Sequence, residues 1–448
     1  MKELMISVSG IRGIIGKAFT AETALNYARA FGAFLKEGRV AVGRDTRKTG
    51  PMVTSAVISG LLASGCDVVD LGICPTPTIE MAVRDAGFNG GVAVTASHNP
   101  MEYNALKLLG EGGVFLSDAQ GKKVQRLFNS GRFKDCNWSS IGKATFEDKW
   151  IDHHIKKITE LDIISPPSIR KRRLKVVADC GGGAACYMAG RFFKKLGVEY
   201  KLIHFVPTGE FPRGPEPVPE NLVDLSRAVK RSRADVGFAF DPDADRLAIV
   251  SEKGEPIGEE YTLALGSRYI LSRKIGPMAV NLSSSLLNDF VAREAGVKLH
   301  RTKVGERNVT EKLRRVGGVV GGEGNGGLIY PQLHWGRDAF LAAAVITQYL
   351  VSSGSKISEL VLELPRYFMI KTMLELAPSE VERKKNAIEI VFKGDRINRA
   401  DGLKISGKDW WVQIRASNTE PIARIISEAR DYKTARNLIA KVRSVFMK

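Results

Sequence analysis

Three aspartates, Asp241, Asp243 and Asp245, stand at alternate positions in the segment DPDADR, between the apolar runs Gly237–Phe240 and Leu247–Val250. Carboxylates this close repel one another unless a cation neutralises them, and hard oxygen ligands select Mg²⁺ or Ca²⁺ over zinc. An EF-hand loop also opens D-x-D-x-D. Here, however, Arg246 fills the sixth position, where that loop needs glycine, and strand-like runs replace the flanking helices. Three ligands are few for Ca²⁺ but suit Mg²⁺ if a phosphate oxygen completes the shell. The plain alternative is a solvated acidic turn without metal.

In TASHNP, Ser97 follows a strand-like run and lies between Ala96 and His98. Three readings are open for it: an ST-turn leading into Asn99–Pro100, a Ser-His-Asp nucleophile, or a phosphorylated serine that supplies the oxygen the Asp loop lacks. Against the second, no G-x-S-x-G elbow is present, and the adjacent His98 is expected to point away from Ser97. The Gly-rich segments DCGGGAA and GGEGNGG could cradle phosphate through backbone N–H groups, though neither is a P-loop. The second sets Glu323 and Asn325 among five glycines. A carboxylate and an amide on such a loop suit pairs of sugar hydroxyls, and a hairpin turn is equally consistent. RASNTEP gathers Arg415, Ser417, Asn418 and Thr419, with Arg424 close behind. That set makes a compact phosphate receptor, or else a surface turn with a helix N-cap.

Strand-like and helical patterns alternate along most of the chain, the signature of α/β domains. Val40–Val42 leads into GRDTRKTG and a helix turning near Gly65. Lys175–Ala178 leads into DCGGGAA and a helix through Lys195, and Met278–Leu282 into SSS and a helix through Ala295. Each unit then has a second strand ending in GGVAVTASHNP, ADVGFAFDPDADR or GGVVGGEGNGG. Three similar mixed-sheet α/β domains are therefore expected, at 1–150, 151–252 and 253–364. Each carries one special loop at the carboxyl end of a strand, where open sheets bind ligands. After Pro365, strands at Ile388–Phe392 and Trp410–Arg415 and a helix from Lys433 read as a smaller α+β domain, 365–448.

The chain has 448 residues, which suits three or four domains of roughly 100–150 residues. Its formal net charge of +18 fits an anionic partner. A nucleic acid is not expected, because the basic residues are spread out and no basic–aromatic interleaving occurs. The densest run, Arg170–Arg173 beside Pro166 and Pro167, reads as an exposed loop. The five cysteines, Cys66, Cys74, Cys136, Cys180 and Cys186, contain no CxxC and are odd in number, so a reducing compartment is expected. The start MKELMISVSGIRG lacks the apolar core of a signal peptide. The apolar stretch Ala339–Val351 is too short to cross a bilayer and reads as a buried helix. A cytoplasmic protein with no membrane partner follows.

The motifs TASHNP, DPDADR, GGEGNGG and RASNTEP, in that order, together with SGIRGIIG and GRDTR, resemble the alpha-D-phosphohexomutase family over essentially the whole chain. The resemblance implies three α/β domains and a fourth α+β domain around a central cleft. It implies an isomerase that interconverts hexose 6-phosphate and hexose 1-phosphate through a phosphoserine at Ser97 and a hexose 1,6-bisphosphate intermediate. Mg²⁺ would be held by Ser97, Asp241, Asp243 and Asp245. Arg12, Arg246 and His98 would flank the phosphoserine. Lys107, in EYNALK, would be the general acid or base, its pKa lowered from about 10.4 by burial and cationic neighbours. Glu323 and Asn325 would hold sugar hydroxyls, and Arg415, Ser417, Asn418, Thr419 and Arg424 the phosphate that is not reacting. A monomer or homodimer is expected.

The sequence departs from the commoner pattern in that Gly327 ends the sugar loop where many relatives carry His, and Glu306 stands where phosphomannomutase/phosphoglucomutase relatives also carry His. Glu306 and the run Thr419–Pro421 favour glucosamine phosphate as substrate over glucose or mannose phosphate. A non-catalytic sugar-phosphate-binding protein is the remaining alternative.

Overall fold

The structure is a computed structural model that describes residues 4–7, 10–133, 135–416 and 422–446. The strands that carry the chemical loops are apolar and buried along their length. Gly90–Val94, Val236–Phe240 and Leu247–Ser251 are each buried at every position, as strands covered on both faces must be.

Four strands recur in one spatial order in each of the first three units. In the first unit these are Gly38–Arg44, Cys66–Ile73, Gly90–Val94 and Tyr103–Gly110. In the second they are Lys175–Asp179, Glu199–Ile203, Val236–Phe240 and Leu247–Ser251. In the third they are Met278–Asn281, Leu299–Thr302, Val320–Glu323 and Gly327–Ile329. Each time the first strand lies between the second and third, parallel to both, and the fourth pairs antiparallel with the third. The loops TASHNP, DPDADR and Gly324–Gly326 therefore occupy the same turn of the same motif three times over. That turn lies at the carboxyl end of the third strand.

The first unit extends its sheet. Gly10–Ile14 pairs with Tyr103–Gly110, so that Gly10 faces Lys107 and Arg12 faces Ala105. Only glycine fits at position 10. Its φ is +134°, and a Cβ there would lie 1.7 Å from the carbonyl oxygen of Leu106.

The expected buried helix is present and runs Ala339–Ser353, apolar on nearly all sides. Its N-terminus is capped by Asp338, whose Oδ1 accepts from the amides of Phe340 and Leu341. Phe340 stacks on Phe240 at 4.5 Å and meets Phe192 edge-on at 5.0 Å, which seats the third unit's helix on the second unit's core. Among the described residues, no helix is long and apolar enough to cross a membrane. All five cysteines are free.

The fourth unit is a five-stranded antiparallel sheet in the order Phe368–Glu375, Ile422–Ala429, Trp410–Ala416, Leu403–Ser406, Arg396–Asn398. Two local expectations are corrected. Ile388–Phe392 is the end of a helix, Pro378–Val391, and not a strand. Val381, Ile388 and Phe392 face the core at helical spacing, while Ile390 is 74% exposed. The basic run is also helical: Pro166–Arg172 is a short helix opened by Ser165 as N-cap with proline in the first turn. The two prolines start that helix where they were read as a loop.

Candidate active site

The serine loop is fixed from below by a residue that the sequence reading left without a role. Arg47, in GRDTR, is 1% exposed. Its Nη1 donates to the carbonyls of Pro100 and Tyr103, and its Nη2 to those of Ser97 and Asn99. Its Nε meets Asp45 at 3.1 Å, and Thr95 donates to the same carboxylate oxygen. The Ser97 amide donates in turn to Thr95 Oγ1. Under this network Ser97 adopts a left-handed backbone, φ +49°, which non-glycine residues rarely hold without support.

That backbone turn corrects one expectation. His98 does not point away from Ser97: its Nδ1 lies 3.5 Å from Ser97 Oγ. Arg246, burial and Arg12 push the His98 imidazole down to about 2, so it stays neutral and makes a poor base at this geometry.

The Asp loop comes from the second unit and meets Ser97 directly. Ser97 Oγ donates to Asp241 Oδ2 at 3.0 Å. Ala244 in the same loop is also left-handed, φ +54°, and the amides of Asp245 and Arg246 both donate to Asp241 Oδ1. Strands flank the loop on both sides, so it is not an EF-hand. The three aspartates are at most 1% exposed. One oxygen from each lies within 4.8 Å of the others.

Several of these oxygens are already satisfied. Asp243 Oδ2 accepts from Thr76 and Lys107, and Asp245 Oδ2 from Arg337. Asp243 Oδ1 and Asp245 Oδ1 are buried with no hydrogen-bond partner among the described residues. Unpartnered buried carboxylate oxygens are costly. With one oxygen of each aspartate within 4.8 Å of the others and Ser97 Oγ bonded to Asp241 Oδ2, the loop offers an all-oxygen set suited to a hard divalent cation. Burial and the neighbouring Asp245 and Asp243 push the Asp241 carboxyl well above the usual range, as expected of a site short of positive charge.

Lys107 lies within this cluster, its Nζ 2.6 Å from Asp243 Oδ2 and 3.6 Å from Asp245 Oδ2. A lowered pKa was expected. Burial does act in that direction, but Asp243 and Asp245 outweigh it and hold the ammonium above the usual lysine range. Arg12 donates to Asn99 Oδ1 at 2.6 Å. Arg246 Nε lies 3.6 Å from Asp245 Oδ1. Both arginines border the serine loop.

The third unit supplies Glu323 at the end of its third strand. Glu323 Oε1 accepts from Asn281 Nδ2 and from the Gly305 amide, and Oε2 lies 3.1 Å from Arg337 Nη1. Burial opposes its charge, but Arg337 and these donors hold it below the usual carboxylate range. Asn325 Oδ1 is buried without a hydrogen-bond partner among the described residues. Glu306 opens the helix Glu306–Val316 and pairs with Arg337 Nε at 2.8 Å. Burial and the nearby Glu80 push it up to about 8. Arg337 itself escaped the sequence reading, since nothing about its spacing marked it.

In the fourth unit Arg415 and Arg424 face each other across paired strands. Arg415 is steadied by Asp401 at 3.5 Å. Ser417, Asn418 and Thr419 lie outside the described residues.

Family models match the chain in four consecutive pieces. These are phosphoglucomutase/phosphomannomutase alpha/beta/alpha domain I over residues 4–135, domain II over 152–254, domain III over 258–368 and the C-terminal domain over 373–445. A probable phosphoglucosamine mutase of Methanopyrus kandleri is 39% identical over 436 residues, covering 96% of this chain and 95% of that protein. A phosphoglucomutase/phosphomannomutase of Thermococcus kodakarensis is 41% identical over 441 residues, covering 96% and 95%. A solved phosphoglucomutase/phosphomannomutase family protein from Burkholderia thailandensis superimposes with a TM-score of 0.86 at 30% identity, covering 98% of this chain and 97% of that one. The chain belongs to the alpha-D-phosphohexomutase family. It is an enzyme of the isomerase class, an intramolecular phosphotransferase.

Proposed function

We propose that the enzyme interconverts glucosamine 6-phosphate and glucosamine 1-phosphate through a phosphoserine at Ser97. The observation that carries the chemistry is Ser97 Oγ at 3.0 Å from Asp241, in a loop with two buried aspartate oxygens that have no hydrogen bond among the described residues. In the first half-reaction a sugar hydroxyl attacks the phosphorus on Ser97. The P–Oγ bond breaks, the proton of the attacking hydroxyl ends on Ser97 Oγ, and free serine and hexose 1,6-bisphosphate result. In the second half-reaction Ser97 Oγ attacks the other phosphate, the bond from that phosphorus to the sugar oxygen breaks, the serine proton ends on the sugar oxygen, and the isomeric monophosphate is released. A Mg²⁺ ion bound by Asp241, Asp243, Asp245 and the phosphoserine would neutralise the oxygens of the moving group.

The residues of the chain have separate tasks. Arg12 and Arg246 add positive charge at the serine loop. Lys107, held as an ammonium 2.6 Å from Asp243, is the general-acid candidate: it gives a proton to the oxygen leaving phosphorus and recovers one from the attacking hydroxyl. His98 stays neutral and packs against the serine. Glu323 and Asn325 hold sugar hydroxyls. Arg415, Ser417, Asn418, Thr419 and Arg424 hold the distal phosphate. The basic surface draws in the anionic substrate.

The choice of glucosamine rests on charge. Glu80, Glu306, Glu323 and Asp245 surround the single guanidinium of Arg337. A sugar ammonium would be drawn to this acid-rich cluster, whose neighbouring cations are Arg337 and Lys107, the latter 3.6 Å from Asp245. The phosphoglucosamine mutase name of the Methanopyrus kandleri relative agrees with this reading. The phosphoglucomutase/phosphomannomutase name of the Thermococcus kodakarensis relative favours glucose or mannose phosphate by the same mechanism. A panel of glucosamine, glucose and mannose 1-phosphates, compared by kcat/KM, decides between them. The expected result is a preference for glucosamine that Glu306→Gln reduces about tenfold, in line with the loss of one charged hydrogen bond. A Glu306→Gln enzyme with an unchanged ranking would overturn the glucosamine assignment.

A further inference from the structure

Beside the sugar loop, the space that a side chain at position 327 would take is filled by Arg337. A Cβ on Gly327 would lie 2.2 Å from Arg337 Cδ and 2.9 Å from its Cγ. Gly327 has no unusual backbone angle that would itself demand glycine. The close approach of the arginine is what requires it.

The guanidinium that reaches across this gap commits each of its nitrogens to a different carboxylate. Nη2 lies 2.6 Å from Asp245 Oδ2, Nε 2.8 Å from Glu306 Oε2, and Nη1 3.1 Å from Glu323 Oε2. Asp245 belongs to the Asp loop of the second unit, while Glu306 and Glu323 belong to the third. The arginine side chain is 8% exposed. A lysine ammonium cannot span three carboxylates in this planar fork.

We propose that Arg337 is a positioning residue that couples the cation loop to the sugar loop, and that Gly327 is its counterpart, kept small to admit it. This rests on the reading of Asp245 as a cation ligand and Glu323 as a sugar ligand. Arg337 caps Asp245 on Oδ2, which leaves Oδ1 without a hydrogen bond among the described residues. The same guanidinium holds Glu323 Oε2 while Asn281 and the Gly305 amide hold Oε1. Both oxygens of the sugar-loop carboxylate are thus oriented before a substrate arrives, which lowers the cost of binding it in register. One side chain sets the geometry of two sites in two units, so disturbing it shifts both.

The test uses the full chain and two principal variants, Arg337→Lys and Gly327→Ala, with Arg337→Ala and its double with Gly327→Ala as controls. The second removes no hydrogen-bonding group and displaces the arginine only by contact. Mg²⁺ binding to the sugar-free protein is measured by calorimetry, and KM and kcat for the hexose phosphate are measured separately. Thermal melting checks that each variant folds. Both variants are expected to weaken Mg²⁺ binding about 10–100-fold, the usual effect of losing a group that orients a metal ligand, and to raise KM in parallel. Gly327→Ala in an Arg337→Ala background is expected to add no further loss. A folded Arg337→Lys with wild-type Mg²⁺ affinity and KM overturns the coupling. A change in one parameter without the other, or additive losses in the double variant, also overturns it. A wild-type protein that binds no Mg²⁺ would instead overturn the underlying reading of Asp245.

Discussion

Ser97 Oγ and Asp241 Oδ2 stand 3.0 Å apart although 144 positions separate the two residues in the chain. The contact exists because both residues lie in the same turn of a repeated four-strand motif, in units that face each other. Each loop also contains a left-handed residue, Ser97 or Ala244. Strained backbone of this kind persists only where its surroundings over-determine it.

Arg47 supplies that over-determination for the serine loop. Replacing it with Met removes four hydrogen bonds to the carbonyls of Ser97, Asn99, Pro100 and Tyr103 and leaves Asp45 buried without its cation. The expected loss of stability is about 3–5 kcal/mol, read from denaturant unfolding. At temperatures where the variant remains folded, kcat is expected to fall about 100-fold through misplacement of Ser97.

The Asp loop makes a prediction about metal. Chelation is expected to abolish turnover, and Mg²⁺ to restore it. Asp243→Ala removes one oxygen of this set and also releases Lys107 and Thr76. Calorimetry should show Mg²⁺ affinity reduced by at least about tenfold. Unchanged affinity in that variant would refute the assignment of the loop.

Arg415 and Arg424 make a prediction about the distal phosphate. Two like charges opposite each other on paired strands repel, and an anion between them removes the repulsion. Arg424→Ala is expected to raise KM for the sugar phosphate about tenfold while changing kcat less than threefold. An equal fall in kcat with no change in KM would place the residue elsewhere in the reaction.

Stability against pH should report on Glu260. Burial pushes its carboxyl up to about 8, against the smaller lowering effects of Lys371 and the Ser285 amide, with Glu428 and Glu259 adding to the rise. A raised carboxyl binds its proton more tightly folded than unfolded. Its contribution is therefore full below the ordinary carboxylate pKa and is lost as pH climbs toward about 8. Glu260→Gln is expected to flatten the decline in melting temperature across that interval. A parallel decline in the variant and the wild type would show that Glu260 does not carry it.

The division into repeated α/β units was legible because strand runs, loops and helices recur in the same order. The candidate loops were legible through the order of their four motifs, since each taken alone also fitted a plain turn. Convergence of the loops was not legible in the residues themselves and was implied only by the resemblance: nothing in TASHNP states that it meets DPDADR, and the shared position of the two turns brings Ser97 to Asp241. Arg47 and Arg337 were missed for a similar reason, since each works through long-range contacts that leave no local pattern. The one hint of Arg337 was Gly327, a small residue in the sugar loop whose space something else had to fill. Ile388–Phe392 misled because a short apolar run does not separate a helix end from a strand. The structure sets Lys107 beside Asp243 and Asp245, and its charge was misjudged because those aspartates belong to another unit.

The central claim is that Ser97 carries the phosphoryl group. Its most direct test is intact-mass analysis and peptide mapping of the purified enzyme after incubation with hexose 1,6-bisphosphate and Mg²⁺, with Ser97→Ala treated alongside. The expected result is one phosphoryl group on the peptide containing Ser97, absent from Ser97→Ala, together with loss of mutase turnover in that variant. Phosphorylation at another residue, or a Ser97→Ala enzyme that turns over like the wild type, would contradict it.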